Sequence, residues 1–396
     1  MTHFQYMIVG GGMAADAAAN GIRELDADGS IAIISDDVDE PYTRPALSKK
    51  LWTDEEFSEA DNFLGTAENT GAQIYLRTEV SAVDADRRTV TTAEERFEFD
   101  KLLFVTGGRP KSLDLEEGER VIYFRSFADY RRLREFSGRD LNVAVIGGGF
   151  IGTELAAALV QNSTNTTLIF DDETLGASVF PSDLARSFHD LYQKHGVRLV
   201  AGTKVSGGRS DADHVSLDYG DGSHEFDAVV VGLGIEPTTD LAEQAGITTD
   251  DGILVDESLQ TSRPNVYAAG DVARYPDRLL GRQRVEHVDN ATQMGTAAGR
   301  IMAGSDESYT HTPYFYTNVF DFGYQAVGTL DPSLRTVEDW VQPHSEGAVF
   351  YLDEGERVQG VLVVNRKGQL DAAREILAED WAHAPSDLVH RLTSDH

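Results

Sequence analysis

Two glycine turns of the same pattern lie 137 residues apart in this chain. The first is segment 6–15, YMIVGGGMAA, and the second is segment 143–152, VAVIGGGFIG. Such a turn, between a β-favouring run and a helix-favouring run, lets the backbone approach a pyrophosphate at a helix N-terminus. One turn alone is also compatible with simple packing, but two turns predict two dinucleotides, as in a flavoenzyme that a nicotinamide reduces. The candidate contacts are Gly10, Gly12 and Ala15 in the first turn and Gly147, Gly149, Ile151 and Gly152 in the second.

An acidic residue follows the next strand after the first turn. Segment 30–35 reads as a strand and ends before Asp36, 26 residues beyond Gly10. A carboxylate at this place accepts hydrogen bonds from the adenosine ribose hydroxyls. Asp36 is the predicted contact, and Asp37 or Ser35 could substitute for it.

The second turn repeats this spacing. Segment 167–170 reads as a strand, and Asp172 follows it 25 residues beyond Gly147. No Lys or Arg occurs between Asp172 and Arg186. A carboxylate without a cation nearby repels a 2′-phosphate, so we expect NADH to be preferred over NADPH. Alternatively, Asp171 or Asp172 only caps a turn.

A third glycine signal is the segment 266–271, VYAAGD. Small residues at a strand end, followed by Gly270 and Asp271, let backbone and carboxylate come close to a polyol chain such as the flavin ribityl. Gly-Asp pairs also form ordinary turns. An apolar run, 102–105, reads as a buried strand and is likewise followed by a glycine turn, at Thr106 and Gly107.

The charge balance of the chain disfavours two kinds of binding partner. The formal net charge is −33, from 34 basic and 67 acidic side chains, and only 7 of the basic residues are Lys. This balance disfavours binding to nucleic acid or to an anionic membrane, where phosphates must be neutralised. It fits a protein working in concentrated salt, where charges are screened over about 3 Å at 1 M, although an acidic protein of an ordinary cytoplasm is the alternative.

The chain contains no cysteine. Disulfides, thiolate metal sites and a redox-active Cys pair are therefore excluded, and no metal site is predicted. No run of 18 apolar residues occurs, so no transmembrane span is expected. The first strand-like run begins within a few residues of Met1, which leaves no room for a signal peptide and predicts a cytoplasmic location.

Several motifs, in order, carry a resemblance to a known family. Segment 40–49, EPYTRPALSK, is similar to a signature of FAD-dependent reductases that serve rubredoxin or oxygenase ferredoxins, and of the related apoptosis-inducing factor. Similar stretches follow at 106–110 (TGGRP), 147–159 (GGGFIGTELAAAL), 280–287 (LGRQRVEH) and 323–328 (GYQAVG). The resemblance extends over nearly the whole chain to the region of residue 340.

The resemblance implies an α/β fold with two Rossmann-like dinucleotide-binding domains. An FAD domain would be split into residues 1–112 and 238–310 by an inserted NAD domain at 113–237. A small α+β domain at 311–396 would pack over the flavin. The aromatic and strand-like runs of this last segment, and its helical periodicity at 372–382, agree with that reading.

The resemblance also implies roles for individual side chains. Arg44 and Lys49 would contact FAD, Glu154 would pair with Lys49, Asp271 would hold the ribityl chain, and His287 would lie beside flavin and nicotinamide. An ammonium beside the flavin stabilises the negative charge of its reduced form, and a carboxylate holds that ammonium in place. Lys49, Glu154 and His287 are therefore the predicted catalytic residues. The predicted cofactor contacts further include Thr106, Gly107, Gly270 and Tyr316 for FAD and Glu154 and Gly232 for NAD.

Each of these roles has a structural alternative. Lys49 adjoins Lys50, and one of the two is a solvated surface charge. Glu154 follows a helix N-terminus, where a carboxylate is favourable for dipole reasons alone. His287 could be a packing histidine, and Tyr316 could belong to the core.

The predicted reaction is hydride transfer from NADH to FAD, followed by electron transfer to an external acceptor such as a ferredoxin, rubredoxin or quinone. Small ferredoxins are usually acidic, so an acidic reductase should repel them at low ionic strength. A redox sensor that holds a long-lived charge-transfer complex with NADH is one alternative. A flavin monooxygenase is another, which the Lys49–Glu154 pair argues against. The sequence leaves a homodimer possible.

Overall fold

The computed structural model of the chain describes residues 1–115, 117–138 and 140–393, so the last three residues of the predicted 311–396 domain lie outside it. Its strands, in chain order, are β1 Thr2–Val9, β2 Ile31–Ile34, β3 Gln73–Tyr75, β4 Val80–Asp84, β5 Thr89–Thr92, β6 Arg96–Phe104, β7 Gly108–Pro110, β8 Val121–Tyr123, β9 Asn142–Ile146, β10 Asn165–Ile169, β11 Arg198–Val200, β12 Val205–Ser210, β13 Val215–Tyr219, β14 Gly222–Phe226, β15 Ala228–Val231, β16 Ile235–Pro237, β17 Ile253–Leu254, β18 Val266–Ala268, β19 Ala273–Asp277, β20 Gly281–Gln283, β21 Tyr314–Val319, β22 Phe322–Gly328, β23 Arg335–Gln342, β24 Glu346–Leu352 and β25 Val358–Val364.

The helices are mostly short and alternate with the strands. They are α1 Met13–Leu25, α2 Lys50–Thr53, α3 Thr66–Thr70, α4 Phe127–Arg134, α5 Phe150–Gln161, α6 Ser182–Lys194, α7 Asp240–Gln244, α8 Val288–Met302, α9 Leu370–Leu377 and α10 Pro385–Leu388, with 3-10 turns at Arg44–Ser48, Ala60–Asn62 and Gly270–Val272.

The chain forms two compact units, each built from three segments. The first unit contains Met1–Pro45, Phe57–Arg109 and Glu236–Pro313, and the second contains Ala46–Glu56, Pro110–Ile235 and Tyr314–His396. The domain bounds expected from the sequence stay a prediction.

A seven-stranded sheet forms the centre of the first unit, with the order β3-β2-β1-β6-β5-β4 and β18 also paired to β6. Strands β3, β2, β1, β6 and β18 run parallel. All four residues of β2 are buried, which is typical of a parallel sheet covered on both faces. Helix α8 packs closely on α1, because a Cβ added at Gly299 would lie only 2.1 Å from the carbonyl oxygen of Ala18.

The second unit contains another parallel sheet, with the order β11-β10-β9-β15-β8. A three-stranded antiparallel sheet, β12-β13-β14, is part of the same unit. Its last segment forms a five-stranded antiparallel sheet, β21-β22-β25-β24-β23, followed by α9 and α10. In each unit, the central parallel strand (β1 or β9) leads through a glycine turn into the following helix (α1 or α5).

No helix in the described part of the chain combines the length and the apolar character needed to cross a membrane. Within residues 1–115, 117–138 and 140–393, no group of three or more His, Cys, Asp or Glu residues could hold a metal ion.

Candidate functional site

The first glycine turn joins β1 to α1 and leaves open space where a phosphate could bind. Gly10 has φ +114°, and a Cβ there would lie 2.3 Å from the carbonyl oxygen of Val105, so only glycine fits. Gly12 precedes α1 and gives the helix no side-chain cap. Among the described residues, a Cβ added at Gly12 would meet only Arg44 Nε, at 3.9 Å. Uncapped amide groups, open space and a guanidinium therefore come together here, which fits a dinucleotide pyrophosphate.

Three predicted FAD segments leave the first sheet side by side. Val9, Phe104 and Ala268 are neighbours in register at the carboxyl ends of β1, β6 and β18. They lead into the segments that begin at Gly10, Thr106 and Gly270, and ligands of α/β sheets bind at this edge.

Contacts at this edge draw the predicted segments together. Gly270, with φ +73°, lies against α1, because its added Cβ would be 3.1 Å from the Cβ of Ala14. Thr106 donates from its hydroxyl to the carbonyl oxygen of Thr238, at 2.7 Å, and Gly107 accepts from the amide of Thr238 at 3.0 Å. Ala15, the next residue of α1, is fully buried.

The candidate ribose contact after β2 is exposed, whereas its alternatives are engaged. Asp36 lies on the surface directly beyond β2. Ser35 is buried, and its hydroxyl oxygen accepts from the amide of Asp37 at 3.1 Å. The Asp37 carboxylate accepts from the hydroxyl of Tyr42 at 3.1 Å. Asp36 is thus the exposed member of this group.

His287 and Asp271 lie on the segment that follows β18. His287 is the N-cap of α8, and its Nδ1 accepts from the amide of Asp289 at 3.4 Å. Its side chain therefore has a structural task in addition to the predicted one. Asp271 belongs to the 3-10 turn after β18 and is half-buried, and its carbonyl oxygen accepts from Arg284 Nη1 at 3.2 Å.

The second glycine turn repeats the geometry of the first. Gly147 has φ +115°, and its added Cβ would lie 2.4 Å from the carbonyl oxygen of Gly232. A Cβ at Gly152 would lie 1.9 Å from the carbonyl oxygen of Gly147. By contrast, a Cβ at Gly149 would meet no described atom within 4 Å, and α5 starts there without a side-chain cap. The two close approaches shape the turn, and the open side at Gly149 fits a second pyrophosphate.

Apolar side chains stand beside this second turn. Phe150 and Ile151, the first residues of α5, are 42% and 37% exposed. The Phe150 ring meets the ring of Phe315 edge-on, with centroids 5.8 Å apart. Apolar surface next to an uncapped helix N-terminus suits a ligand that has both a flat ring and phosphates.

The expectation that no cation lies near the candidate ribose carboxylates is wrong. The sequence shows no cation in the stretch after Asp172, but the structure brings Lys204 Nζ to 3.8 Å from the Asp171 carboxylate. Lys204 comes from the loop after β11, over 30 residues further along the chain, so a scan of the local sequence could not find it. Both side chains are largely exposed, so the pair is weak. Asp172 itself is half-buried, and its carbonyl oxygen accepts from the amide of Gly202.

A buried carboxylate cluster lies within the second unit. Glu154, on α5, is only 3% exposed, and its Oε1 lies 2.6 Å from Lys49 Nζ. Oε1 also accepts from the hydroxyl of Thr317 at 2.5 Å, and Oε2 accepts from the hydroxyl of Ser48 at 2.6 Å. A buried charge is tolerated when it is paired and hydrogen-bonded in this way. We call Ser48, Lys49, Glu154 and Thr317 the carboxylate cluster.

Tyrosines surround this cluster and remain neutral at physiological pH. The ring of Tyr316 lies 5.3 Å from Lys49 Nζ, within reach of a cation–π interaction. Burial raises the pKa of Tyr316, and it raises the pKa of Tyr192 and Tyr324 well above the usual value. These three tyrosines therefore add no charge beside the pair that Lys49 forms with Glu154.

Sequence reasoning missed two members of the cluster. Ser48 and Thr317 are separated from Glu154 by 106 and 163 residues, and a hydroxyl carries no pattern that identifies its partner. The sequence signal that could have identified them is their position next to predicted site residues, since Ser48 precedes Lys49 and Thr317 follows Tyr316.

Two open glycine turns and a lysine held by a buried carboxylate define an FAD-dependent NAD(P)H oxidoreductase with two dinucleotide-binding domains. The chain belongs to the pyridine nucleotide-disulphide oxidoreductase family, whose sequence model matches residues 4–295. It departs from the family name in having no cysteine.

Curated relatives match most of this chain. Apoptosis-inducing factor 1 of Dictyostelium discoideum is 32% identical, over 94% of this chain and 78% of the relative. Monodehydroascorbate reductase 4 of Arabidopsis thaliana is 35% identical, over 99% and 87%. The ferredoxin–NAD(+) reductase component of the anthranilate 1,2-dioxygenase system of Burkholderia cepacia is 31% identical, over 97% and 96%.

A solved structure agrees with these relatives. In the covalent complex of putidaredoxin reductase with putidaredoxin, the matching chain has a TM-score of 0.87 and 28% identity, and the match covers 95% of this chain and 93% of that one. The family resemblance, the two-dinucleotide-domain α/β fold and the use of FAD and NADH, all predicted from the sequence, are thereby confirmed.

Proposed function

We propose that this protein transfers hydride from NADH to bound FAD and passes the electrons to an external carrier protein of the ferredoxin type. The carboxylate cluster is the observation on which the proposal rests, because it provides a fixed cation without any thiol. The chain has no cysteine, so the electrons leave the flavin without a redox-active disulfide. When bound, FAD accepts a hydride and releases its electrons singly.

In this proposal the glycine turns bind and orient the two nucleotides. Arg44 and the uncapped amides of α1 would hold the FAD pyrophosphate, and the open side at Gly149 would hold that of NADH. Asp36 and Asp172 would accept from the ribose hydroxyls. Correct placement of the two rings supplies much of the rate in such reactions.

Lys49 would provide the positive charge that stabilises reduced flavin. Its ammonium is held by Glu154 at 2.6 Å, and the carboxylate is in turn held by the hydroxyls of Ser48 and Thr317. A preorganised charge of this kind requires no rearrangement during the reaction, which makes it effective. Tyr316, over the ammonium, would shield the site from water.

The acceptor is inferred from the names of the relatives, and the net charge sets the ionic strength at which it would bind. The ferredoxin reductase component and putidaredoxin reductase carry the names of protein acceptors, whereas monodehydroascorbate reductase carries that of a small molecule. The net charge of −33 would repel an acidic carrier at low ionic strength, and concentrated salt would remove this repulsion. The cytoplasmic location and the homodimer stay predictions.

The proposal is tested by steady-state oxidation of NADH by the FAD-loaded protein in low and molar salt. The acceptors are a two-iron ferredoxin and the neutral quinone menadione. We expect both to be reduced, with ferredoxin reduction increasing in salt. Reduction of neither acceptor would contradict the whole proposal. Reduction of menadione alone would contradict the ferredoxin-type acceptor and leave a reductase of small molecules.

A further inference from the structure

A positively charged hairpin stands out on this acidic protein. It consists of β19, β20 and the turn between them, followed by Arg284, and we call residues 273–284 the arginine hairpin. It contains four Arg, one Asp and no Glu, whereas the whole chain has a net charge of −33. The strands pair antiparallel from Tyr275–Gln283 to Asp277–Gly281, so the turn is held rigidly at its end.

Ion pairs neutralise the base of the hairpin. Arg274 pairs with Asp250. Arg284 pairs with Asp251 at 3.2 Å and with Glu286 at 2.6 Å. These two guanidiniums are therefore committed to the protein itself.

The end of the hairpin keeps its charge. Arg278 and Arg282 are exposed, and within the described part of the chain neither lies within ion-pair distance of a carboxylate. The side chain of Arg282 donates to the carbonyl oxygens of Val255 and Arg274, at 2.9 and 3.2 Å, so it is anchored while its charge remains unpaired. Leu279, between the two arginines in sequence, is 37% exposed.

The one carboxylate of the hairpin faces inward. Asp277 is 5% exposed, and its Oδ1 accepts from the amides of Leu279 and Leu280 at 2.8 and 3.0 Å, and from the hydroxyl of Thr312 at 3.2 Å. Its charge is used to shape the turn and is not presented to solvent. The surface of the turn is therefore cationic and apolar, the composition that recognises carboxylates around an apolar contact.

The hairpin lies between two predicted FAD contacts of the same unit. It begins two residues after Asp271 and ends shortly before His287. Arg284 also donates to the carbonyl oxygen of Asp271, at 3.2 Å. A protein bound at the hairpin would thus be held on the segment that carries the candidate flavin contacts.

We infer that the end of the arginine hairpin, formed by Arg278, Leu279 and Arg282, is the docking surface for a small acidic electron-carrier protein. This inference rests on the proposed function and names the surface that its acceptor uses. In molar salt the screening length is about 3 Å, so the repulsion from the whole acidic surface is lost while contacts at the hairpin persist. Guanidiniums suit this task because they bind carboxylates through two parallel hydrogen bonds.

The test uses charge reversal at the end of the hairpin. We would measure binding of an acidic two-iron ferredoxin to the FAD-loaded protein in molar salt, together with kcat/KM for its reduction by NADH. Menadione serves as a small neutral acceptor. In the double variant R278E/R282E, the dissociation constant should rise and kcat/KM should fall, each about tenfold, because rim pairs are lost and repulsion is added. Menadione reduction should not change.

Two further variants serve as controls. R198E/R209E reverses two exposed arginines of the second unit and changes the net charge by the same amount, so it should leave ferredoxin binding unaltered. R278K/R282K retains the charge but loses the paired guanidinium hydrogen bonds, so its affinity should fall between that of the wild type and that of R278E/R282E.

Several results would overturn the inference. They are equal losses in the two charge-reversed variants, no loss in R278E/R282E, or a parallel loss of menadione reduction. A wild-type protein that reduces menadione but does not bind the ferredoxin would refute the docking surface and leave hydride transfer to FAD intact. Reduction of neither acceptor would refute the proposed function itself. A dimer that dissociates in R278E/R282E would assign the surface to a second copy of this chain and overturn the inference.

Discussion

Removing the charge of Glu154 should slow flavin reduction without releasing FAD. In Glu154→Ala, the Lys49 ammonium, 19% exposed, loses a carboxylate at 2.6 Å. Two hydroxyls lose their acceptor as well. Truncating one partner of a buried ion pair costs about 3–5 kcal/mol. If about a third of this free energy appears in the activation barrier, the reduction rate falls about tenfold.

A graded series separates charge from packing. Glu154→Gln keeps the shape and one acceptor oxygen but removes the charge, so it should slow reduction nearly as much as Glu154→Ala. Thr317→Val removes one hydrogen bond to a charged group, worth about 1.5–3 kcal/mol, and should have a smaller effect.

Stopped-flow mixing of the FAD-loaded variants with NADH measures the rate, and guanidinium unfolding measures the stability. Glu379→Ala is the matched control, because Glu379 is 17% exposed and pairs with Arg391 at 2.6 Å. It should lower the free energy of unfolding and leave the reduction rate unchanged. An unaltered rate in Glu154→Gln with FAD bound would refute the role of the carboxylate cluster.

Three further predictions concern the nucleotides and pH. Gly149→Ala should have the stability of the wild type, because the added methyl meets no described atom within 4 Å. It should nevertheless weaken NADH binding in a fluorescence titration, and an unchanged affinity would contradict the binding of NADH at the second glycine turn. The ratio of kcat/KM for NADH to kcat/KM for NADPH should fall in Asp172→Ala and rise in Lys204→Ala. An unchanged ratio in both variants would show that other residues recognise the ribose. The Arg391 hydrogen bonds lower the pKa of Glu379, so the pair contributes stability above the ordinary Glu range and loses it as pH falls. Glu379→Gln should therefore flatten the acid side of the pH–stability curve, and an identical curve would refute the linkage.

The glycine turns were the most predictable part of the site. Their chemistry is local, since strand, turn and helix adjoin along the chain, and the conformations of Gly10 and Gly147 admit no other residue easily. The pairing of Lys49 with Glu154 came from the resemblance alone, because no sequence pattern connects residues 105 positions apart.

Long-range contacts account for what the sequence did not predict. The hydroxyls of Ser48 and Thr317 reach Glu154 only through the fold. Lys204 approaches Asp171 because β11 lies beside β10 in the sheet, although the chain between them contains a whole helix. The arginine hairpin is visible in the sequence as four arginines. Only the fold shows that Asp250 and Asp251 pair with Arg274 and Arg284, so that Arg278 and Arg282 have no carboxylate partner among the described residues.

The central claim is that NADH reduces an FAD bound by this chain and that the electrons then leave for an acceptor. An anaerobic titration of the FAD-loaded protein with NADH in high salt, followed by menadione and then air, tests it most directly through the visible flavin spectrum. The account predicts that one NADH bleaches one flavin and that the colour returns at once with menadione. Failure to bind FAD, or a bound flavin that NADH does not bleach, would contradict it. A long-wavelength charge-transfer band that survives both oxidants would instead identify an NADH-responsive sensor.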